Sequence, residues 1–179
     1  MNVPNFLSLL RLAMVPMFCV AFFQPREDAH LIAAGIYALA SLTDVLDGWI
    51  ARHFHQITRL GRVLDPLADK LMTFSVIACI TIAGMIPLWA VVVFFCKEAL
   101  MGLGALSMYR KVDDVIPSNR LGKASTVAFF AVCLALMLFP GIPREWAAAM
   151  IAAALALTLA AALVYLRDYL AVVGRKRKE

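Results

Sequence analysis

Six apolar stretches, each near the length that crosses a bilayer, constrain this chain more than any other feature. They run over residues 6–23, 29–51, 61–83, 88–109, 122–139 and 146–166. The hydrocarbon core of a bilayer is about 30 Å thick, and a helix rising 1.5 Å per residue needs roughly 20 apolar residues to cross it. The chain is 63% hydrophobic and 16% charged, where a soluble domain has about a quarter of its residues charged. The pattern predicts an all-α, polytopic membrane protein: one bundle of six transmembrane helices spanning 1–179, with short loops and no separate soluble domain.

The first stretch has the position of a signal peptide. It carries Arg11 and no small-residue cleavage site follows, so it reads as a retained helix. Cys19, Cys79, Cys96 and Cys133 all lie in apolar runs without CxxC spacing and read as core or lipid-facing residues. Orientation follows from the basic residues. Arg52, Arg59 and Arg62, then Arg110, Lys111 and Arg120, then the tail GRKRKE fall on one side, against Arg26 and Arg144 on the other. The basic side, with both termini, is expected in the cytoplasm and the chain in the inner (plasma) membrane. This distribution accounts for the net charge of +5 through contacts with anionic headgroups and argues against nucleic acid as a partner.

Against this background the segment LTDVLDGWIARHFHQITRLGRVLDPLADK, residues 42–70, stands apart. Asp44 and Asp47 are three residues apart near the end of the second predicted helix, and Asp65 and Asp69 are four apart near the start of the third. Each pair therefore shares a helix face. Asp44 lies roughly 11 Å before the end of its helix and Asp69 roughly 12 Å past Gly61, at 1.5 Å per residue. The short link makes the helices antiparallel neighbours, so four carboxylates meet at one depth on the basic side. Unpaired, they would repel one another and be expensive to bury. Hard oxygen donors at this density suit Mg²⁺ or Mn²⁺, with substrate phosphates completing the shell, and two ions would clamp both the attacking and the leaving oxygen. The plainer reading for Asp65 alone is an N-cap with Pro66 at the first helical position. Arg52 could reach a phosphate, Thr58 offers a hydroxyl, Gly48 removes a side chain beside the acids, and Gly61 lets backbone come close. For Arg52 a positive-inside residue is the plainer reading, and His53 and His55 read as headgroup-level residues.

These residues carry a resemblance. DVLDGWIARHFHQITRLGRVLDPLAD is similar at every fixed position to the CDP-alcohol phosphatidyltransferase signature DxxDGxxARx8GxxxDxxxD, and the opening NVPNFLSLLR resembles that family's amino-terminal segment. The resemblance implies transfer of a phosphatidyl group from CDP-diacylglycerol to an acceptor alcohol, with CMP leaving. It further implies that Asp44, Asp47 and Asp65 hold metal ions and that Asp69 is both ligand and general base. Gly48, Arg52, Thr58 and Gly61 would line the CDP site with the 5–8 segment, Asn5 and Ser8 included. It favours a homodimer.

Within the family, LDPLADKLM and the GKAST around Lys123 resemble the branch that uses glycerol 3-phosphate. A small anionic acceptor needs cations, for which Lys97, Arg110, Arg120 and Lys123 are candidates. The fourth helix of that branch usually carries Arg-Glu and a second Arg two turns on, whereas this chain has Lys97-Glu98 and Ala105. Phosphatidylglycerol, the acceptor of the family's cardiolipin-forming branch, is the alternative. Lys97 and Glu98 also read as a structural ion-pair network; adjacent helical residues point about 100° apart, which argues against a shared partner. A Mg²⁺-dependent prenyltransferase would need two distant aspartate-rich motifs. A cation transporter would want carboxylates near the midplane. The Ala-rich run AAAMIAAALAL permits close helix approach, within the chain or between copies.

Overall fold

The computed structural model describes residues 3–53, 61–109 and 120–176, with side chains left aside at 3–4, 51–52, 62–63, 100–109, 120, 165 and 168–176. All regular structure among them is helical: α1 Val3–Phe22, α2 Ala29–His53, α3 Gly61–Ile82, α4 Leu88–Tyr109, α5 Arg120–Leu138 and α6 Arg144–Lys176. These match the six apolar stretches closely, except that α6 runs ten residues further. Four of them, α1, α2, α5 and α6, are long and apolar enough among the described residues to cross a membrane. The sequence predicts six spans, so two fewer are borne out. In α3 the reason is visible, because Arg62, Asp65, Asp69 and Lys70 occupy its first half. Large apolar side chains such as Met17, Val20, Leu31, Leu39, Val45 and Leu163 stand exposed, as lipid-facing positions do.

The chain divides into two units. The first comprises residues 1–85 and 133–142, and α1 is its centre. α1 packs along both α2 and α3, far more extensively than those two touch each other. Side-chain contacts fix the directions. Phe18 meets Tyr37 at 6.4 Å between ring centroids and Phe22 meets His30 at 4.7 Å, while Arg11 meets Asp44 and Asp47; contacts that climb α1 descend α2. Ser8 meets Asp65 and Cys19 meets Cys79 at 3.9 Å; here both helices climb. α1 is therefore antiparallel to α2 and parallel to α3, which makes α2 and α3 antiparallel as predicted, with α1 against both.

Small residues allow the close approach of α1 and α2. Ala33, Ala34 and Ala40 are buried with Tyr37 on one face of α2, against Met14, Phe18 and Phe22 of α1. α3 presents Ala68, Met72, Val76 and Cys79 at helical spacing, all buried. Its end is set by Gly84, at φ 74°. Gly84 N–H donates to Thr81 C=O at 2.9 Å and Met85 N–H to Ile80 C=O at 3.0 Å. This pair of bonds satisfies two of the last carbonyls and needs a residue with positive φ. Pro16 lies inside α1 and Pro66 inside α3, and both helices continue through them.

The second unit comprises residues 86–132 and 143–179. Here α4 packs on α6, whose Ala147, Ile151, Ala154, Leu155, Thr158 and Ala161 form one buried stripe. The Ala-rich run thus serves packing within the chain. Phe94 of α4 stacks on Phe129 of α5 at 5.5 Å and 21°. Buried hydroxyls return to their own helices: Thr43 to Ala40, Ser125 to Gly122 and Thr158 to Leu155, at 2.7–2.8 Å. Such back-bonding leaves no hydroxyl proton unpaired where water is absent.

Candidate active site

The acidic site is built by three helices of the first unit. α2 supplies Asp44 and Asp47, α3 supplies Asp65 and Asp69, and α1 inserts Ser8 and Arg11. Ser8 and Arg11 are three residues apart and share a face of α1; they are 0% and 1% exposed. Arg11 forks its guanidinium, Nη1 donating to Asp44 Oδ1 and Nη2 to Asp47 Oδ2. Ser8 Oγ donates to Asp65 Oδ1. One turn of α1 therefore holds one member or both of each acid pair, bringing the pairs to the same depth within about 5 Å, the rise of a turn.

The carboxylates differ in surroundings. Asp47 is 3% exposed, and within electrostatic reach of Arg11, Asp44 and Asp65. The Asp44 side chain keeps 46% of its surface. Asp65 is half-buried and Asp69 exposed on one flank, within electrostatic reach of buried Tyr37 on α2. Asp65 is not a helix cap. α3 begins four residues earlier at Gly61 and Pro66 lies in its interior, so the Asp65 side chain is free to turn across to Ser8.

One guanidinium against Asp44, Asp47 and Asp65 leaves two negative charges, with Asp47 buried among them. That excess equals the charge of one divalent cation, and Asp69 adds a third negative charge beside it. The donors are hard carboxylate oxygens, which suit Mg²⁺ or Mn²⁺. Among the described residues, no three His, Cys, Asp or Glu side chains are gathered as a ready-made cage; Arg11 stands between the acids of α2 where such a cage would close. The residue set and its charge fit a divalent ion, with Arg11 as the neighbour it would meet.

Of the other predicted residues, Asn5 lies half-buried in the first turns of α1, Gly48 half-buried between Asp47 and Trp49, and Gly61 buried at the head of α3. The Arg52 side chain, Thr58, Arg110 and the Arg120 side chain fall outside the described residues, and so does His55. His53 stacks on Trp49 at 5.0 Å and 8°, an aromatic pair of the headgroup-level kind. Lys97 belongs to the second unit. Its ammonium pairs with Glu98 and lies 5.1 Å from the Phe94 ring centre. Lys123 is exposed near the start of α5, and the Ser125 and Thr126 hydroxyls of GKAST both donate to Gly122 C=O.

Sequence reasoning missed Arg11, which it used only as a sign that the first helix is retained. The available signal was its position: an ionisable residue a third of the way into an apolar helix is functional by default.

An acidic site with two carboxylate pairs, held by the first three helices of an all-helical chain with four potential membrane spans, is the class that fold and geometry define. Residues 1–164 match the CDP-alcohol phosphatidyltransferase family, and the chain belongs to it. The chain is 33% identical over 182 residues to a probable phosphatidylglycerophosphate synthase of Mycobacterium tuberculosis, covering 99% of this chain and 86% of the relative. It is 33% identical over 150 residues to a CDP-diacylglycerol–glycerol-3-phosphate 3-phosphatidyltransferase of Bacillus subtilis, covering 76% and 77%. It is 37% identical over 132 residues to a CMP-forming cardiolipin synthase of Streptomyces coelicolor, covering 70% and 60%.

Proposed function

We propose that the chain transfers the phosphatidyl group of CDP-diacylglycerol to a hydroxyl of glycerol 3-phosphate, giving phosphatidylglycerophosphate and CMP. The observation that carries this reading is the two acid pairs at one depth, tied together by Ser8 and Arg11. Their spacing is that of the family signature, and of the relatives described above one is named for this acceptor and another for this product. The acceptor oxygen bonds to the phosphorus that bears the diacylglycerol. The bond from that phosphorus to the CMP oxygen breaks, and the hydroxyl proton passes to Asp69. Asp44, Asp47, Asp65 and Asp69 hold Mg²⁺ or Mn²⁺, two ions in the manner of a two-metal phosphoryl clamp. When bound, the metal neutralises the pyrophosphate and stabilises the leaving oxygen.

Asn5, Ser8, Gly48, Arg52, Thr58 and Gly61 line the CDP site. Lys97, Arg110, Arg120 and Lys123 are the cations from which the acceptor phosphate draws its partners; the Lys97–Glu98 pairing makes Lys97 the weakest of them. All six helices span the membrane as one domain, α3 with its charges at the basic, cytoplasmic side where CDP-diacylglycerol presents its phosphates. The enzyme works as a homodimer. A second reading, transfer to phosphatidylglycerol, is favoured by the likeness to the Streptomyces coelicolor protein.

The test supplies purified protein and CDP-diacylglycerol with glycerol 3-phosphate, phosphatidylglycerol or inositol phosphate separately, and identifies the lipid product by mass spectrometry. Phosphatidylglycerophosphate with stoichiometric CMP, abolished by EDTA and restored by Mg²⁺ or Mn²⁺, is the expected result. Cardiolipin as the sole product would move the assignment to the second reading. Full activity in EDTA would remove the metal from it.

A further inference from the structure

Arg11 occupies the place where the proposed function puts a cation. Its terminal nitrogens are spent on Asp44 and Asp47, while its Nε is buried and meets no acceptor among the described residues. A stranded buried donor is destabilising, so this seat is not the best one an arginine can have. A reason to keep it there lies in α2. Two carboxylates one turn apart in an apolar helix repel each other, and lipid offers them no hydration. Until a metal arrives, the chain has to supply its own counter-charge.

We propose that Arg11 is a resident counter-cation that competes with divalent metal for Asp44 and Asp47. It holds the acid pair in register in the metal-free protein and yields its carboxylate oxygens as metal loads. Ser8 does the lesser, uncharged part of this work at Asp65. Arg11 is thus a positioning residue, acting through the ligands. The inference rests on the reading of the aspartates as metal ligands, and its test separates the two.

Full-length protein in nanodiscs is titrated with Mn²⁺, free ion being followed by electron paramagnetic resonance, and thermal unfolding is recorded in EDTA and in saturating Mn²⁺. Arg11→Gln removes the competitor. It should bind Mn²⁺ roughly tenfold more tightly, about 1.4 kcal/mol, lose melting temperature in EDTA, and recover most of that loss in Mn²⁺. Arg11→Lys, a point charge that cannot fork two carboxylates, should lie between it and wild type. Unchanged or weaker Mn²⁺ affinity, with an equal loss of melting temperature in both conditions, would make Arg11 a structural pin and overturn the proposal. Asp44→Asn is the control. If it titrates like wild type, the metal reading fails and takes this inference with it; if it loses Mn²⁺ while the arginine variants gain nothing, only the competition fails. Should Arg11→Gln not accumulate, the Arg11→Lys titration decides.

Discussion

Asp69 sits one turn beyond Asp65 on α3 and is exposed, while Asp44, which also keeps 46% of its side-chain surface, is engaged by Arg11. Asp47 is closed in by Arg11, and Asp65 is engaged by Ser8. A carboxylate with an accessible edge beside the acid cluster is the one an acceptor hydroxyl can reach, and reach is the first requirement of a general base. Asp69→Asn keeps the shape and part of the coordinating ability but removes the basicity. Turnover should be abolished, while CDP-diacylglycerol binding, measured by equilibrium partitioning of a labelled analogue, stays within roughly tenfold, or about 1.4 kcal/mol. Loss of that binding, with activity regained in excess Mn²⁺, would make Asp69 a ligand only.

At the scale of elements, α1 is the organising helix of the first unit. It carries no acid of the signature, yet it touches both helices that do, and it fixes their relative depth through Ser8 and Arg11. Its parallel alignment with α3 has a second, independent marker at the far end, where the Cys19 and Cys79 sulfurs lie 3.9 Å apart. A disulfide needs about 2 Å between sulfurs, a shift that side-chain rotation can supply. Oxidation of the full chain with copper–phenanthroline should therefore produce an intramolecular Cys19–Cys79 link, detected by peptide mapping and eliminated by Cys19→Ser. Linkage of Cys19 to Cys96 or Cys133 in its place would contradict the parallel packing of α1 and α3.

For the whole molecule the open quantity is orientation, which depends on loop charge. Gln24 is exposed in the connection between α1 and α2, and Lys123 is exposed near the start of α5; the basic-residue asymmetry puts them on opposite sides. Single cysteines at these positions, in a background with the four native cysteines replaced by Ser, should differ in intact cells. Gln24→Cys should react with an impermeant maleimide from outside, and Lys123→Cys only after permeabilisation. The reverse pattern would put the acid pairs on the outer side.

What the sequence determined by itself is what bilayer thickness and helical period impose locally. Twenty-residue apolar runs bounded by polar residues gave helices whose starts fall within three residues of the observed ones. Acids at i, i+3 and i, i+4 had to share faces, and the 42–70 spacing was specific enough to point to the family. What lies between helices was decided only by tertiary structure. Arg11 meets Asp44 and Asp47 across 33 and 36 residues, and Ser8 meets Asp65 across 57. No local period encodes such a pairing, because it depends on which face of α1 turns inward and how far the helix slides against its neighbours. Asp65 shows the same limit in small: before Pro66 it reads as a cap, until the start of α3 at Gly61 and the contact with Ser8 give its side chain another partner. The sequence set which charges must be neutralised; the packing of α1 against α2 and α3 chose the residue that neutralises them, since only folding brings a buried cation to a buried acid.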